Sequence, residues 1–170
     1  MEKLKILFLC TGNSARSIMG EYILRKKASS RFETYSAGAA PKDGPHPLTL
    51  KVLRERFLID ASDARSKSLD EFKNVQFDFV ITVCDNARES CPVWPGQPIL
   101  AHWGSPDPAE SNSESVFIAV ATEIARRIDL FLNLPLSKLD QLRASIEEET
   151  RKIGEMTLAE QPCPSQTQSI

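Results

Sequence analysis

Lys5-Ile6-Leu7-Phe8-Leu9-Cys10-Thr11-Gly12-Asn13-Ser14-Ala15-Arg16-Ser17 is the stretch on which the reading of this chain turns. Lys5 to Cys10 is apolar almost throughout, the pattern of a central strand buried on both faces of a parallel sheet. A Gly-containing loop follows, then a helix from about Ser17 to Ala28 whose Ile18, Met19, Tyr22 and Ile23 recur one turn apart. Where a strand turns into a helix, backbone N–H groups point inward and form an anion nest, reinforced by the helix dipole. Thr11 to Ser17 would form that nest, with Gly12 expected to supply the backbone freedom. Arg16 offers a planar fork for two oxygens of a tetrahedral oxyanion. Cys10 would lie at the bottom of this field, with a pKa depressed into the range of about 3.5–7.5 and a thiolate at neutral pH. Ser14 or Ser17 could hydrogen-bond that thiolate. Taken singly, Cys10 would be a small buried hydrophobe and Arg16 a surface charge. The Cys-x5-Arg spacing, the Gly-Asn loop and the strand-to-helix setting together favour a nucleophile in an oxyanion loop.

Working outward, Phe32 to Ser36 reads as a second strand and Leu48 to Phe57 as a second helix. Phe77 to Val83 is a third strand ending at Cys84, and Ile99 to Trp103 a short fourth. Residues 84 to 98 are polar and proline-rich. A helix from about Ser115 to Asn133 buries Phe117, Val120, Ala121, Ile124, Ile128 and Phe131, and Pro135 ends it. This order predicts an α/β fold: a doubly wound, four-stranded parallel sheet with helices on both faces. Ligands of such sheets sit beyond the carboxyl ends of the strands. Cys10, Cys84 and the loop Pro106-Asp107-Pro108 each follow such an end and so share one rim. Ser137 to Ile153 is an extra amphipathic helix with Leu139, Leu142, Ile146 and Ile153 on one stripe and Gly154 as its stop. The expected organisation is a domain at 1–134, an appended helix at 135–154 and a disordered tail at 155–170.

The chain has 170 residues, enough to bury a core of its own, and a formal net charge of -2, which favours neither nucleic acid nor an anionic membrane. No apolar run approaches the roughly 20 residues that a membrane span needs. The apolar run at the N-terminus covers only Ile6 to Cys10, better read as a strand than as an export signal. A reducing, cytoplasmic setting follows, so permanent disulfides among Cys10, Cys84, Cys91 and Cys163 are not expected. The cysteine spacings do not suit a structural zinc, and neither metal nor cofactor is expected.

Cys10 to Ser17, with Met19-Gly20-Glu21 and Tyr35-Ser36-Ala37-Gly38, resembles the low-molecular-weight protein tyrosine phosphatases and the thioredoxin-coupled arsenate reductases that share their fold. The resemblance covers roughly residues 4 to 132. Its loop motif does not separate the two branches. Thr82-Val83-Cys84-Asp85-Asn86-Ala87-Arg88-Glu89-Ser90-Cys91-Pro92 is similar to the reductase branch, where a strand ends in one cysteine and a second follows seven residues later. His102-Trp103-Gly104-Ser105-Pro106-Asp107-Pro108 resembles the segment carrying the general acid, with His102 and Trp103 as scaffold. Asp107 would then need a raised pKa to hold its proton.

The resemblance implies arsenate as a phosphate-like substrate, Cys10 as nucleophile, Cys84 as resolving thiol and Cys91 as its final disulfide partner, with thioredoxin or a similar protein as external reductant. Seven residues of helix would hold the sulfurs of Cys84 and Cys91 near 10 Å apart, so the segment must bend to close that bond. Ala109-Glu110-Ser111 stand where phosphotyrosine enzymes carry aromatics, which favours a small inorganic substrate. Part of the reductase branch holds potassium beside the loop. Asn13, Glu21 and Ser36 match its ligands, while Lys67 stands in place of the fourth and its ammonium would substitute for the cation. Cys163 reads as incidental. One alternative is a phosphatase acting on phosphotyrosine or phosphoarginine through Cys10, Arg16 and Asp107; another is a non-enzymatic anion sensor.

Overall fold

The computed structural model describes residues 2–89 and 91–156. Cys163 and the expected tail from 157 lie outside the described residues. The strands are β1 (Leu4–Cys10), β2 (Phe32–Gly38), β3 (Phe79–Thr82) and β4 (Ile99–His102). The helices are α1 (Arg16–Ala28), α2 (Pro47–Phe57), α3 (Asp85–Glu89), α4 (Pro108–Ser111), α5 (Glu114–Leu132) and α6 (Leu139–Glu155), with 3-10 turns at Leu69–Phe72 and Leu136–Lys138. All pairings are parallel and the spatial order is β2-β1-β3-β4. The doubly wound α/β sheet expected from the sequence is therefore what the chain adopts. The chain leaves β1 toward β2 on one side and returns to β3 on the other. The switch point falls between β1 and β3, where Cys10 and Cys84 emerge, the position at which such sheets bind ligands.

The two sheet faces are packed differently. On one, α1 and α5 lie over Phe8, whose ring meets Trp103, and Phe131 contacts Phe32, Phe79 and Trp103. On the other, Tyr35 meets Phe72 and Phe77, and Phe77 meets Trp94 edge-on. These aromatic contacts join shorter pieces to the sheet: the 3-10 turn at Leu69–Phe72 and, through Trp94, the loop after α3.

α6 lies along the edge strand β4 and covers it, which removes an exposed ladder of backbone groups. Trp103 is fully buried and donates its indole N–H to the Thr150 carbonyl at 3.0 Å. Two expectations about α6 are corrected. Gly154 does not stop the helix, which continues to Glu155. Its missing side chain instead admits the strand: a Cβ there would lie 1.8 Å from the His102 carbonyl oxygen. Leu142 is not on the buried stripe but is exposed, with non-helical φ/ψ at a kink in α6, and Thr150 is buried beside Ile146 and Ile153 instead.

Candidate active site

The loop between β1 and α1 is held from outside by its carbonyls. Cys10 O accepts from Ala39 N, Thr11 O from Ala40 N, Gly12 O from Lys42 N, and Ser14 O from His46 N, at 2.8 to 3.2 Å. Asn13 O accepts from Ser66 Oγ at 2.6 Å, and Ser14 O also from Thr49 Oγ1 at 2.9 Å. With the carbonyls engaged outward, the N–H groups are left to face the cavity. Ala15 precedes α1 and no side chain caps its first turn, so helix N–H groups also remain available to an anion.

The left-handed turn is made by Asn13 (φ 45°), not by Gly12 as the sequence suggested. Asparagine tolerates that conformation, and its carboxamide then bonds Ser17 Oγ at 2.8 Å, Ser36 Oγ at 3.0 Å and Lys67 N at 2.8 Å. Gly38, at the end of β2, is the glycine this loop requires. A Cβ on it would meet Thr11 O at 2.5 Å.

Cys10 is buried at the floor of the loop. Its sulfur lies 2.8 Å from Ser17 Oγ and accepts from Asn13 N at 3.1 Å. Burial pushes the Cys10 thiol up, while Ser17, Asn13 and the Arg16 charge pull it down; burial is the larger influence. The expected depression is thus corrected, because the sulfur's desolvation outweighs its donors. Arg16 donates to Ser105 O at 2.9 Å and stands 3.5 Å from the Asp107 carboxylate. Asp107 also caps α4, accepting from Ala109 N at 3.1 Å. These groups line a cavity of about 450 Å³ with Lys42, Cys84, Glu110 and others, and no aromatic side chain is among them.

Cys84 borders this cavity with its sulfur 3.4 Å from Thr11 Oγ1. Cys91 does not border it. α3 covers residues 85–89 and residues 91–94 are irregular, so Cys91 itself does not lie on a helix continued from Cys84. Cys91 instead shares a small gap with Cys10, Leu9 and Ala87 on the sheet side of α3. All three described cysteines are free thiols.

Beside the loop, Lys67 and Glu21 are both buried, with Nζ 3.5 Å from Oε2. Lys67 Nζ also donates to Ser36 Oγ at 3.2 Å and Arg65 O at 2.8 Å, and Ser36 donates to Glu21. Burial pushes the Lys67 ammonium below its usual value, against the opposing pull of Glu21. Among the described residues no group of three or more His, Cys, Asp or Glu is placed to hold a metal ion. No helix among them is long and apolar enough to cross a membrane.

Residues 5–153 match the family described as low molecular weight phosphotyrosine protein phosphatase. The chain belongs to this family. Within it, the chain is similar to an arsenate reductase of Halalkalibacterium halodurans, 37% identical over 136 residues that cover 77% of this chain and 96% of that one. Among solved structures it resembles a low molecular weight protein tyrosine phosphatase from T. tengcongensis, with TM-score 0.64, 27% identity, and coverage of 75% of this chain and 96% of the other. It also resembles a thioredoxin-dependent arsenate reductase of Corynebacterium glutamicum, with TM-score 0.60, 30% identity, and coverage of 86% of this chain and 63% of the other.

Several residues supporting this phosphatase-family site went unnoticed in the sequence. Arg127 of α5 is buried, paired with Glu123 at 2.8 Å, and donates to Gly104 O at 2.9 Å. It thereby fixes the loop whose Ser105 carbonyl holds Arg16. A Glu-Arg pair four residues apart on a mostly apolar helix was the available signal. Ala39, Ala40, Lys42 and His46 anchor the loop carbonyls through backbone atoms, which no residue type announces.

Proposed function

We propose that this member of the phosphatase family is an arsenate reductase working by a three-thiol relay. Arsenate occupies the cavity, its oxygens held by the loop N–H groups and the Arg16 fork. The sulfur of Cys10 attacks arsenic, its proton passing to an oxygen of the bound dianion, and Asp107 protonates the oxygen that leaves as water. Cys84 then attacks the Cys10 sulfur. A Cys10–Cys84 disulfide forms, the sulfur–arsenic bond breaks, and its electron pair leaves with arsenic as arsenite. Cys91 next attacks Cys84, releasing Cys10 and leaving a Cys84–Cys91 disulfide for thioredoxin or a similar dithiol protein to reduce.

The observation that carries this reading is the placement of Cys84 at the mouth of the Cys10 cavity, its sulfur against Thr11. The hydrolytic step itself needs no second thiol there; in the phosphatase alternative Cys84 and Cys91 would only protect Cys10 from oxidation. The absence of aromatics from the lining also favours a small inorganic oxyanion over an aryl phosphate. The phosphatase reading keeps one support of its own: Cys10, Arg16 and Asp107 suffice for hydrolysis, so a residual aryl phosphatase activity is expected.

The test is arsenate-dependent NADPH consumption with thioredoxin and thioredoxin reductase. Wild type should turn over, and Cys84→Ser and Cys91→Ser should not. An aryl phosphatase activity that survives both substitutions, with no arsenate turnover in wild type, would assign the chain to hydrolysis.

A further inference from the structure

Cys91 must become a thiolate to act, yet its sulfur is half-buried and its contact with Pro92 O is long, at 3.8 Å. Three residues on, Trp94 is buried at 5% exposure, its ring edge-on to Phe77 at 5.6 Å. Its indole Nε1 is one of two buried side-chain polar atoms without a hydrogen-bond partner among the described residues. The other is Arg127 Nε, whose guanidinium is otherwise well bonded. Buried donors without acceptors are rare and costly, so an orphaned one calls for a reason. Burial pushes the Cys91 thiol up, and the Trp94 indole N–H is the group that pulls it down. The pair nevertheless falls short of hydrogen-bond geometry. A neutral thiol is a weak acceptor, whereas a thiolate is a strong, charge-assisted one.

We propose that Trp94 is a positioning residue for the second disulfide step, its indole N–H being the donor that takes up the Cys91 sulfur once that sulfur is ionised. The inference rests on the arsenate reductase reading. In the step itself, the Cys91 thiolate attacks the Cys84 sulfur of the Cys10–Cys84 disulfide. The Cys84–Cys91 bond forms, the Cys10–Cys84 bond breaks, and the electron pair leaves on Cys10. The proton of Cys91 has already gone to solvent, and no net oxidation occurs. Trp94 holds the attacking sulfur and its charge in the sheet-side pocket until Cys84 reaches it.

Arg88 of α3, Arg151 and Glu155 of α6, and His102 at the end of β4 line the cavity on the other side of Cys91. They are unchanged by Trp94→Phe, which keeps an aromatic ring and removes the N–H. In a chain carrying Cys10→Ser, Cys84→Ser and Cys163→Ser, Cys91 is the sole thiol, and its alkylation by iodoacetamide can be followed against pH. Adding Trp94→Phe should raise the midpoint by about one pH unit and slow alkylation near neutrality about three- to fourfold, the tenfold loss of thiolate being offset in part by its greater nucleophilicity. Superimposable profiles would overturn the proposal.

In the chain with its cysteines intact, one equivalent of arsenate should release arsenite at the same rate with or without Trp94→Phe. The Cys84–Cys91 disulfide should appear about three- to fourfold later in the variant, the same one-unit effect. Equal rates of its appearance would count against Trp94. No arsenite from either protein would instead overturn the reductase reading, and the second-step role with it. Should Trp94→Phe not fold, indole fluorescence titrated in wild type and Cys91→Ser decides the matter. Quenching that follows thiolate formation and is lost in Cys91→Ser supports the contact, and identical traces refute it.

Discussion

The Cys10 sulfur and the Ser17 hydroxyl lie 2.8 Å apart, seven residues distant in sequence but at opposite ends of one loop. Ser17 receives the Asn13 carboxamide on its own oxygen, which leaves its proton free to point at sulfur. Toward the ionised Cys10 sulfur, which has no proton of its own, the serine can only be the donor. It is among the influences that offset the burial of the thiol.

Ser17→Ala tests that assignment. Burial holds the Cys10 pKa above its ordinary value, so the reactive thiolate becomes more abundant as pH rises through neutrality, and iodoacetamide inactivation should climb with pH without levelling off there. Removing the Ser17 donor should move the limb further up, slowing inactivation near neutrality by about three- to fourfold for a one-unit shift. An inactivation rate that is flat from mildly acid to neutral pH would show that the loop donors, not burial, dominate.

Asp107→Asn separates proton donation from structure. Asparagine is as good an N-cap as aspartate, so α4 and the loop geometry should persist. The amide cannot give up a proton, and kcat for arsenate should fall by roughly 10²–10⁴. Unchanged kcat in steady-state assays would remove Asp107 from the acid role.

Lys67→Met should leave the Glu21 carboxylate buried with Arg25 as its remaining charged partner. Breaking a buried pair costs about 3–5 kcal/mol, and the surviving Arg25 contact places this case near the lower end. Urea unfolding measures the loss. Because the Lys67 ammonium already supplies the positive charge beside the loop, wild-type turnover should be the same in sodium and potassium buffers. A several-fold rise in potassium would contradict that account.

Gly154→Ala puts two effects in opposition. Alanine favours a helix over glycine by about 1 kcal/mol, but its Cβ would lie 1.8 Å from His102 O, and backbone there cannot yield cheaply. Overpacking costs about 1–3 kcal/mol, so a net destabilisation is expected. A variant with a higher thermal midpoint than wild type would mean that α6 is free to shift away from β4.

Much of this protein was legible in one dimension because the signals are local. The apolar run ending at Cys10, the Cys-x5-Arg spacing and the 3.6-residue stripe of α5 report strand, oxyanion loop and helix. The alternation of strands and helices is enough to predict a parallel sheet and a shared rim for Cys10, Cys84 and Asp107. What needed the tertiary structure depends on distance between segments remote in sequence. That Asn13 rather than Gly12 makes the left-handed turn follows from partners at Ser36 and Lys67. That Gly154 lies inside α6 follows from the closeness of β4. Burial of the Cys10 sulfur depends on everything packed around it, which is why a loop that announces a thiolate can hold a thiol whose ionisation is resisted. The N–H of Trp94 gains meaning only from its burial without an acceptor. Residue type and spacing determine which groups this chain can bring to chemistry. Packing decides which of them are desolvated, which are paired, and which are left with a bond still to make.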